Sequence, residues 1–189
     1  MREALKAFTT QFAPLSDEDF NRYADLFRLV NVRRLDHLFR EGDNVNKLYY
    51  VNTGVLRGYY LKEGVEHTCN FFFSPYMMTD LFSVRDNVPT LMNVQAIKDS
   101  ECYEVDFAEI EELAFQNPDL LKVFFKMYEH LFRLSIKRQI SFIYDTPTER
   151  YANLFKERPN VIAEIPQHYI ASFLGIQPET LSRIRKRIF

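Results

Sequence analysis

The apolar positions of this chain change their rhythm several times. Over residues 1–29 they recur with helical period. Ser16 followed by Glu18 and Asp19 marks a start signal, predicting a helix over Asp17–Leu29 with Phe20, Tyr23, Ala24 and Phe27 on one side. From Val30 to Asp106, short runs rich in β-branched and aromatic residues are punctuated by Gly42-Asp43, Thr53-Gly54, Glu63-Gly64, Ser74-Pro75 and Val88-Pro89. Segments 49–61, 67–73, 92–99 and 101–105 read as strands with turns between them, and their close spacing predicts a small antiparallel barrel or jelly roll. Helical rhythm returns with a short helix over Phe107–Phe115. A long one follows Asn117-Pro118, over residues 119–144. At one turn per 5.4 Å it spans roughly 35–40 Å. Leu120, Phe124, Met127, Leu131 and Leu134 form one apolar row, with Leu121, Phe125, Tyr128, Phe132, Ile136, Ile140 and Ile143 alongside. That surface is wider than one barrel covers. A second copy of the chain is the simplest further partner, with the Leu120–Leu134 row as the expected dimer interface; packing wholly within one chain is the alternative. Thr146-Pro147 ends the run, and residues 148–157 give another helix before Arg158-Pro159.

The last stretch, residues 165–187, is the most specific. Ile170 and Leu174 lie four apart on one face of a short helix, and Ala171 beside them lets a second helix cross at close range. Gly175 ends that helix where a left-handed residue costs little. Pro178 opens the next at a position whose N–H would be unpaired anyway. Leu181, Ile184 and Ile188 form the second helix's inward stripe. Together these positions predict a helix-turn-helix whose second helix suits the major groove of DNA. At about 100° per residue its outward side carries Glu179, Ser182, Arg183 and Lys186, flanked by Arg185 and Arg187. Arg183 suits a guanine edge, Glu179 a cytosine amine, and Lys186 or Arg187 a phosphate, while Gln177 and Thr180 near the helix start suit a phosphate or a base. The plainer alternative makes Glu179 and Arg183 a solvated i,i+4 ion pair worth ~0.2–0.5 kcal/mol.

Charge sharpens that picture. The whole chain carries a net −2, which excludes a general polyanion binder. Between Ile165 and Phe189, however, Arg183, Arg185, Lys186 and Arg187 face Glu179 as the one acid, so positive charge gathers where a phosphate backbone would be met. Cys69 and Cys102 match no zinc, iron–sulfur or disulfide spacing and read as buried thiols in a reducing compartment. The opening MREALKAF is too polar for a signal peptide, and no apolar run approaches a membrane span, so a cytoplasmic protein is expected.

A small β-barrel, a long helix and a C-terminal helix-turn-helix resemble, over nearly the whole length, the cyclic-AMP receptor protein and fumarate–nitrate regulator (Crp/Fnr) family of bacterial transcription regulators. The turn Glu41-Gly42-Asp43 and the segment Asn52-Thr53-Gly54-Val55-Leu56-Arg57 are similar to the family's early-barrel glycine motifs, and Glu179 and Arg183 stand where its base-contacting Glu and Arg do. The resemblance implies an α+β architecture with an effector domain at 1–116, a dimerisation helix at 117–144 and a DNA-binding domain at 145–189. It also implies double-stranded DNA, a second copy and RNA polymerase as partners, and a small-molecule effector of unknown identity. Pro178 replaces the residue that is another Arg in the cyclic-AMP-responsive members, so the target sequence is expected to differ. Members that bind cyclic AMP carry Gly-Glu and, ten residues past that Glu, an Arg followed by small residues. Here Thr79-Asp80 and Thr90-Leu91-Met92 take those places. Without the Arg no fixed cation neutralises a buried phosphate, so cyclic AMP is not expected to bind usefully. Arg85 is expected to be a solvated loop residue rather than a substitute. The effector-pocket positions are Phe73, Asp80, Phe82, Thr90 and Met92, and with Phe71, Tyr76 and Met78 they suit an apolar or aromatic ligand, or a pocket filled by its own side chains. The family's β-hairpin wing does not follow the recognition helix in this sequence, so weaker phosphate contact is expected.

Other chemistries leave little trace. No cysteine precedes Cys69, unlike the oxygen-sensing branch, and His67 and Cys69, two apart on one strand, are a weak pair for metal or haem. No cofactor is expected. A metal-dependent barrel enzyme needs clustered ligands, whereas His37, His67, His130 and His168 are scattered; no Ser/His/Asp group or phosphate loop is visible. A ligand- or protein-binding module using its helix-turn-helix as an interaction surface is the remaining alternative, and the basic run Arg183–Arg187 argues against it.

Overall fold

A computed structural model of the chain describes residues 1–188; the side chain of Ile188, expected on the inward stripe, lies outside the described part. The order is α1 (Arg2–Thr10), α2 (Asp17–Ala24), β1 (Arg28–Val32), β2 (His37–Phe39), β3 (Lys47–Thr53), β4 (Val55–Lys62), β5 (Val65–Phe73), β6 (Tyr76–Met78), α3 (Leu81–Asp86), β7 (Met92–Ala96) and β8 (Ser100–Asp106). Helices α4 (Phe107–Gln116), α5 (Pro118–Tyr144), α6 (Pro147–Glu157), α7 (Pro159–Glu164), α8 (Gln167–Leu174) and α9 (Pro178–Ile188) follow. Among the described residues the strands form two antiparallel four-stranded sheets, ordered β1-β8-β3-β6 and β2-β7-β4-β5. The expected barrel is this sandwich. No helix of the described residues is long and apolar enough to cross a membrane.

Local chemistry explains the boundaries. Ser16 caps α2 by accepting the Asp19 N–H at 3.1 Å. The helix expected to run to Leu29 stops at Ala24, because residues 28–32 instead pair with β8, Val30 opposite Cys102. The β8 ladder outweighs the local helical pattern. Gly54 turns β3 into β4 at φ +90°, and a Cβ there would lie 2.3 Å from Ser100 Oγ. Asn117 Oδ1 accepts the N–H groups of Asp119 and Leu120 at 3.1 and 2.9 Å and Pro118 follows, so α5 starts as the sequence suggests and runs for 27 residues.

Three apolar layers result. Val51, Leu56, Phe72, Val94, Ala96 and Cys102 fill the space between the sheets. Outside the β1-β8-β3-β6 sheet, Tyr50 and Met77 meet α1, α2, α4 and the first half of α5. Here the dimer expectation needs correcting. Leu120, Phe124 and Met127 are 1%, 7% and 3% exposed, locked in the chain's own core, and Leu131 is half-buried against the same cluster. Leu134 continues that row past the end of the core and is exposed. The apolar row left outside is Phe125, Phe132, Ile136, Ile140 and Ile143, on the opposite side of α5 at about 100° per residue. In the third layer, Val55, Phe71 and Ile97 of the sandwich share a core with Tyr151, Leu154, Ile170, Phe173, Leu174, Leu181 and Ile184 of the C-terminal helices.

Candidate nucleic-acid interface

Helices α8 and α9 are joined as the sequence pattern requires. The Ile176 N–H donates to Ala171 O at 3.0 Å and the Gly175 N–H to Ser172 O at 3.1 Å, with Gly175 at φ +68°. This pair of bonds closes α8 in a Schellman turn. Glycine is needed twice over, since a Cβ would lie 2.9 Å from Phe142 Cε1 of α5. Ala171 is fully buried at the crossing, and Leu181 and Ile184 are buried beneath α9.

The other side of α9 faces solvent. Gln177, Glu179, Ser182, Arg183, Lys186 and Arg187 are exposed and Thr180 is half-buried. Arg183 Nη2 donates to Thr180 Oγ1 at 3.2 Å, and among the described residues Arg183 forms no ion pair with Glu179. Its guanidinium therefore stays free of a carboxylate, with donors to spare for a base edge. A shallow depression beside α9 is lined by Gln167, Ser182, Arg185 and Lys186. Gln167 begins α8, whose first turn has no side-chain cap at Pro166. Unpaired N–H groups and two cations suit a phosphate there. Gln167 and Arg185 were not singled out as contacts by the sequence; a proline at the cap, which has no side-chain acceptor, was the available signal.

The helix pair is bolted to the sandwich through Arg57, a residue given no role by sequence. It is fully buried on β4, donating from Nε to Thr68 Oγ1 at 2.9 Å and from Nη1 to Glu66 Oε2 at 2.7 Å. Its guanidinium lies 4.3 Å from the Tyr59 ring and 3.8 Å from the ring of Tyr169 on α8. Ser172 adds a polar stitch, accepting the Thr68 N–H and donating to Glu66 O, both at 2.9 Å. Phe71 packs on Phe173 at 5.3 Å, so it faces α8 and not the expected pocket. Burial of the cation between two rings, with a carboxylate at one end, makes the seam one interlocked unit.

Beside this seam an open cleft of about 1540 Å³ runs between β5, β6 and α3 on one wall and α5 on the other, reaching α6 and the end of α8. Phe73, Asp80, Phe82 and Met92 line it, but Thr90 does not. Thr90 is buried and donates to Asp80 Oδ2. Asp80 Oδ1 accepts from Phe82 N at 3.0 Å and Ser83 N at 3.4 Å, capping α3. Each oxygen of the carboxylate thus already accepts a bond from within the chain, so Asp80 caps α3 as well as lining the cleft. Phe82 stands exposed at the cleft mouth instead of lining an enclosed pocket. Arg85 pairs with Glu111 at 2.5 Å and lies over the Phe107 ring. That hydrogen bond raises the Arg85 pKa and holds the Glu111 carboxyl below its ordinary value. Cys69 is an inserted residue in β5, because the register slips between Gly58 and Tyr59, so the simple alternation with His67 fails. Desolvation pushes the Cys69 thiol up to about 11 and the buried Cys102 thiol up to about 12, which keeps both protonated near neutral pH.

The cyclic nucleotide-binding domain family matches residues 29–117. Transcriptional activator protein Anr of Pseudomonas protegens is 25% identical over 167 residues, covering 82% of this chain and 68% of that protein. FixK2 from Bradyrhizobium japonicum has a TM-score of 0.72 at 19% identity, covering 86% of this chain and 84% of its own. The Catabolite Activator Protein of Thermus thermophilus has a TM-score of 0.59 at 18% identity, covering 94% and 85%. At such identities the two structural matches establish a shared fold.

Proposed function

We propose that this chain, which belongs to the Crp/Fnr-type transcription regulators, binds specific duplex DNA as a homodimer through α9 and does not take cyclic AMP as its effector. The observation that carries the reading is the two-sided build of α9: Leu181 and Ile184 buried, and Glu179, Ser182, Arg183, Lys186 and Arg187 free on the outer face. In this reading Arg183 and Glu179 read base edges. Lys186 and Arg187 hold phosphates, and Gln177 and Thr180 contact the strand near the helix start. The outer row of α5, from Phe125 to Ile143, supplies the dimer seam, which sets two α9 helices about 34 Å apart on a near-palindromic site. The bond between Thr90 and Asp80, and the commitment of Arg85 to Glu111, support the exclusion of a cyclic phosphate, since no unengaged cation faces that end of the cleft among the described residues.

Selection of bound sites from random duplex DNA tests the proposal. Enrichment of a two-fold-related motif is expected, and Arg183→Ala costs about 1–3 kcal/mol on the selected site while sparing binding to unrelated duplex. Cyclic AMP leaves the selected motif and the affinity unchanged. Failure to enrich any motif, or selectivity untouched by Arg183→Ala, contradicts the assignment.

A further inference from the structure

Away from Asp80, three guanidinium groups gather in the cleft where α5, α6 and α7 meet β5 and α8. Arg138 of α5 donates to Phe173 O at 2.9 Å. Arg150 of α6 donates to Leu174 O at 3.1 Å and to Asp145 O at 2.8 Å. Arg158, between α6 and α7, donates to Asn70 Oδ1 at 3.2 Å and Phe71 O at 2.6 Å. All three line the cleft and all three are half-buried. Every acceptor they hold is a neutral carbonyl oxygen, and among the described residues none of the three reaches a carboxylate within ion-pair distance. Of the acids lining this end, Asp145 has its carboxylate engaged by Ser141 Oγ at 2.5 Å and Asn153 Nδ2 at 3.3 Å, and Glu157 is paired with Lys137 at 2.7 Å.

The charges are close enough to feel one another. Arg138 and Arg150 share the Phe142 ring, at 4.9 and 4.8 Å from its centre, and Arg138 also lies 3.9 Å from the ring centre of Phe173. Burial above all, with repulsion from Arg158 and Arg150, pushes the Arg138 pKa down to about 10. Burial lowers that of Arg158 as well. A guanidinium carries five N–H donors, so each group keeps donors after its present bonds. Uncompensated, half-buried positive charge is costly, and an entering oxyanion relieves it at three points through charge-assisted hydrogen bonds. The adjoining walls, Phe73, Tyr76 and Leu134, are apolar.

We propose that this end of the cleft binds an organic anion, its carboxylate or phosphate head held by Arg138, Arg150 and Arg158 and its aliphatic or aromatic body lying along Phe73, Tyr76 and Leu134. Two of the three cations grip the carbonyls that end α8, so the bound head bears directly on the seating of the α8–α9 pair. The site lies within one chain and stands independently of what α9 binds.

The test uses the full chain with 1-anilinonaphthalene-8-sulfonate, an anionic aromatic probe whose fluorescence rises on burial. Decanoate, decyl phosphate and decanol then compete for it; they share a chain length and differ in the head. At least one of the two anions is expected to displace the probe at a concentration about tenfold or more below that of decanol. Arg138→Gln and Arg158→Gln are expected to erase most of that advantage while leaving decanol unaffected. Equal displacement by decanol and both anions overturns the proposal, as does an anion advantage that survives both substitutions. Should a variant fail to fold, the comparison of heads on the unaltered protein still decides.

Discussion

The two halves of α5 carry the same apolar rhythm into opposite surroundings. In the first half Leu120, Phe124 and Met127 vanish under α1, α2 and α4. In the second half the supporting layer ends: the same row continues through half-buried Leu131 to exposed Leu134, while Phe132, Ile136, Ile140 and Ile143 stand in solvent on the opposite face. The difference teaches that the period of a pattern reports which residues share a face, not what covers that face. A row continuous in sequence, Leu120 to Leu134, is core at one end and exposed at the other.

Substitution in the two halves separates them most sharply. Phe124→Ala opens a cavity in the chain's own core, and a loss of about 3–5 kcal/mol in denaturant unfolding is expected. Subunit association is then affected only through folding. Ile140→Asp acts the other way: the isolated fold is stable within roughly 0.5 kcal/mol, whereas association weakens by about 2 kcal/mol or more in sedimentation equilibrium. Should Ile140→Asp leave association intact, the outer row is not the seam.

A smaller effect separates base reading from phosphate contact on α9. Against the ~1–3 kcal/mol specific loss for Arg183→Ala, Lys186→Ala weakens selected and unrelated duplexes alike and lowers the salt slope of binding by about one counterion. Titrations at several salt concentrations read both.

The smallest expected effect comes from His37, whose Nε2 lies 2.9 Å from Tyr59 Oη next to the Arg57 seam. Desolvation, then repulsion from Arg40, lowers its pKa below the ordinary 6.5. The unfolded chain therefore takes up the proton first as pH falls. Stability from the neutral ring is present in full above the ordinary value and is lost on acidification through and below it. Unfolding midpoints between pH 8 and 5 are expected to fall less steeply for His37→Gln than for the unaltered chain.

Much of this was legible in the residues. The Gly175, Pro178, Ala171 and Leu181 positions each have a local reason, so the helix-turn-helix follows from short-range chemistry, and Asn117-Pro118 likewise announces α5. The end of α2 was not legible, because Arg28–Val32 is a strand only through its β8 partner. Arg57 escaped for a similar reason: its surroundings come from β5 and from Tyr169, more than a hundred residues away. Asp80 and Thr90 were recognised as departures, but that they satisfy each other depends on how α3 folds back. The arginine cluster draws on α5, α6 and the turn before α7, and no spacing rule joins Arg138 to Arg158.

Hydroxyl-radical footprinting of the selected duplex, read together with the protein-to-DNA stoichiometry, bears most directly on the central claim. Two chains per duplex and two protected half-sites centred about one helical turn apart are predicted. One chain protecting a single patch, or uniform cleavage at saturating protein, would contradict it.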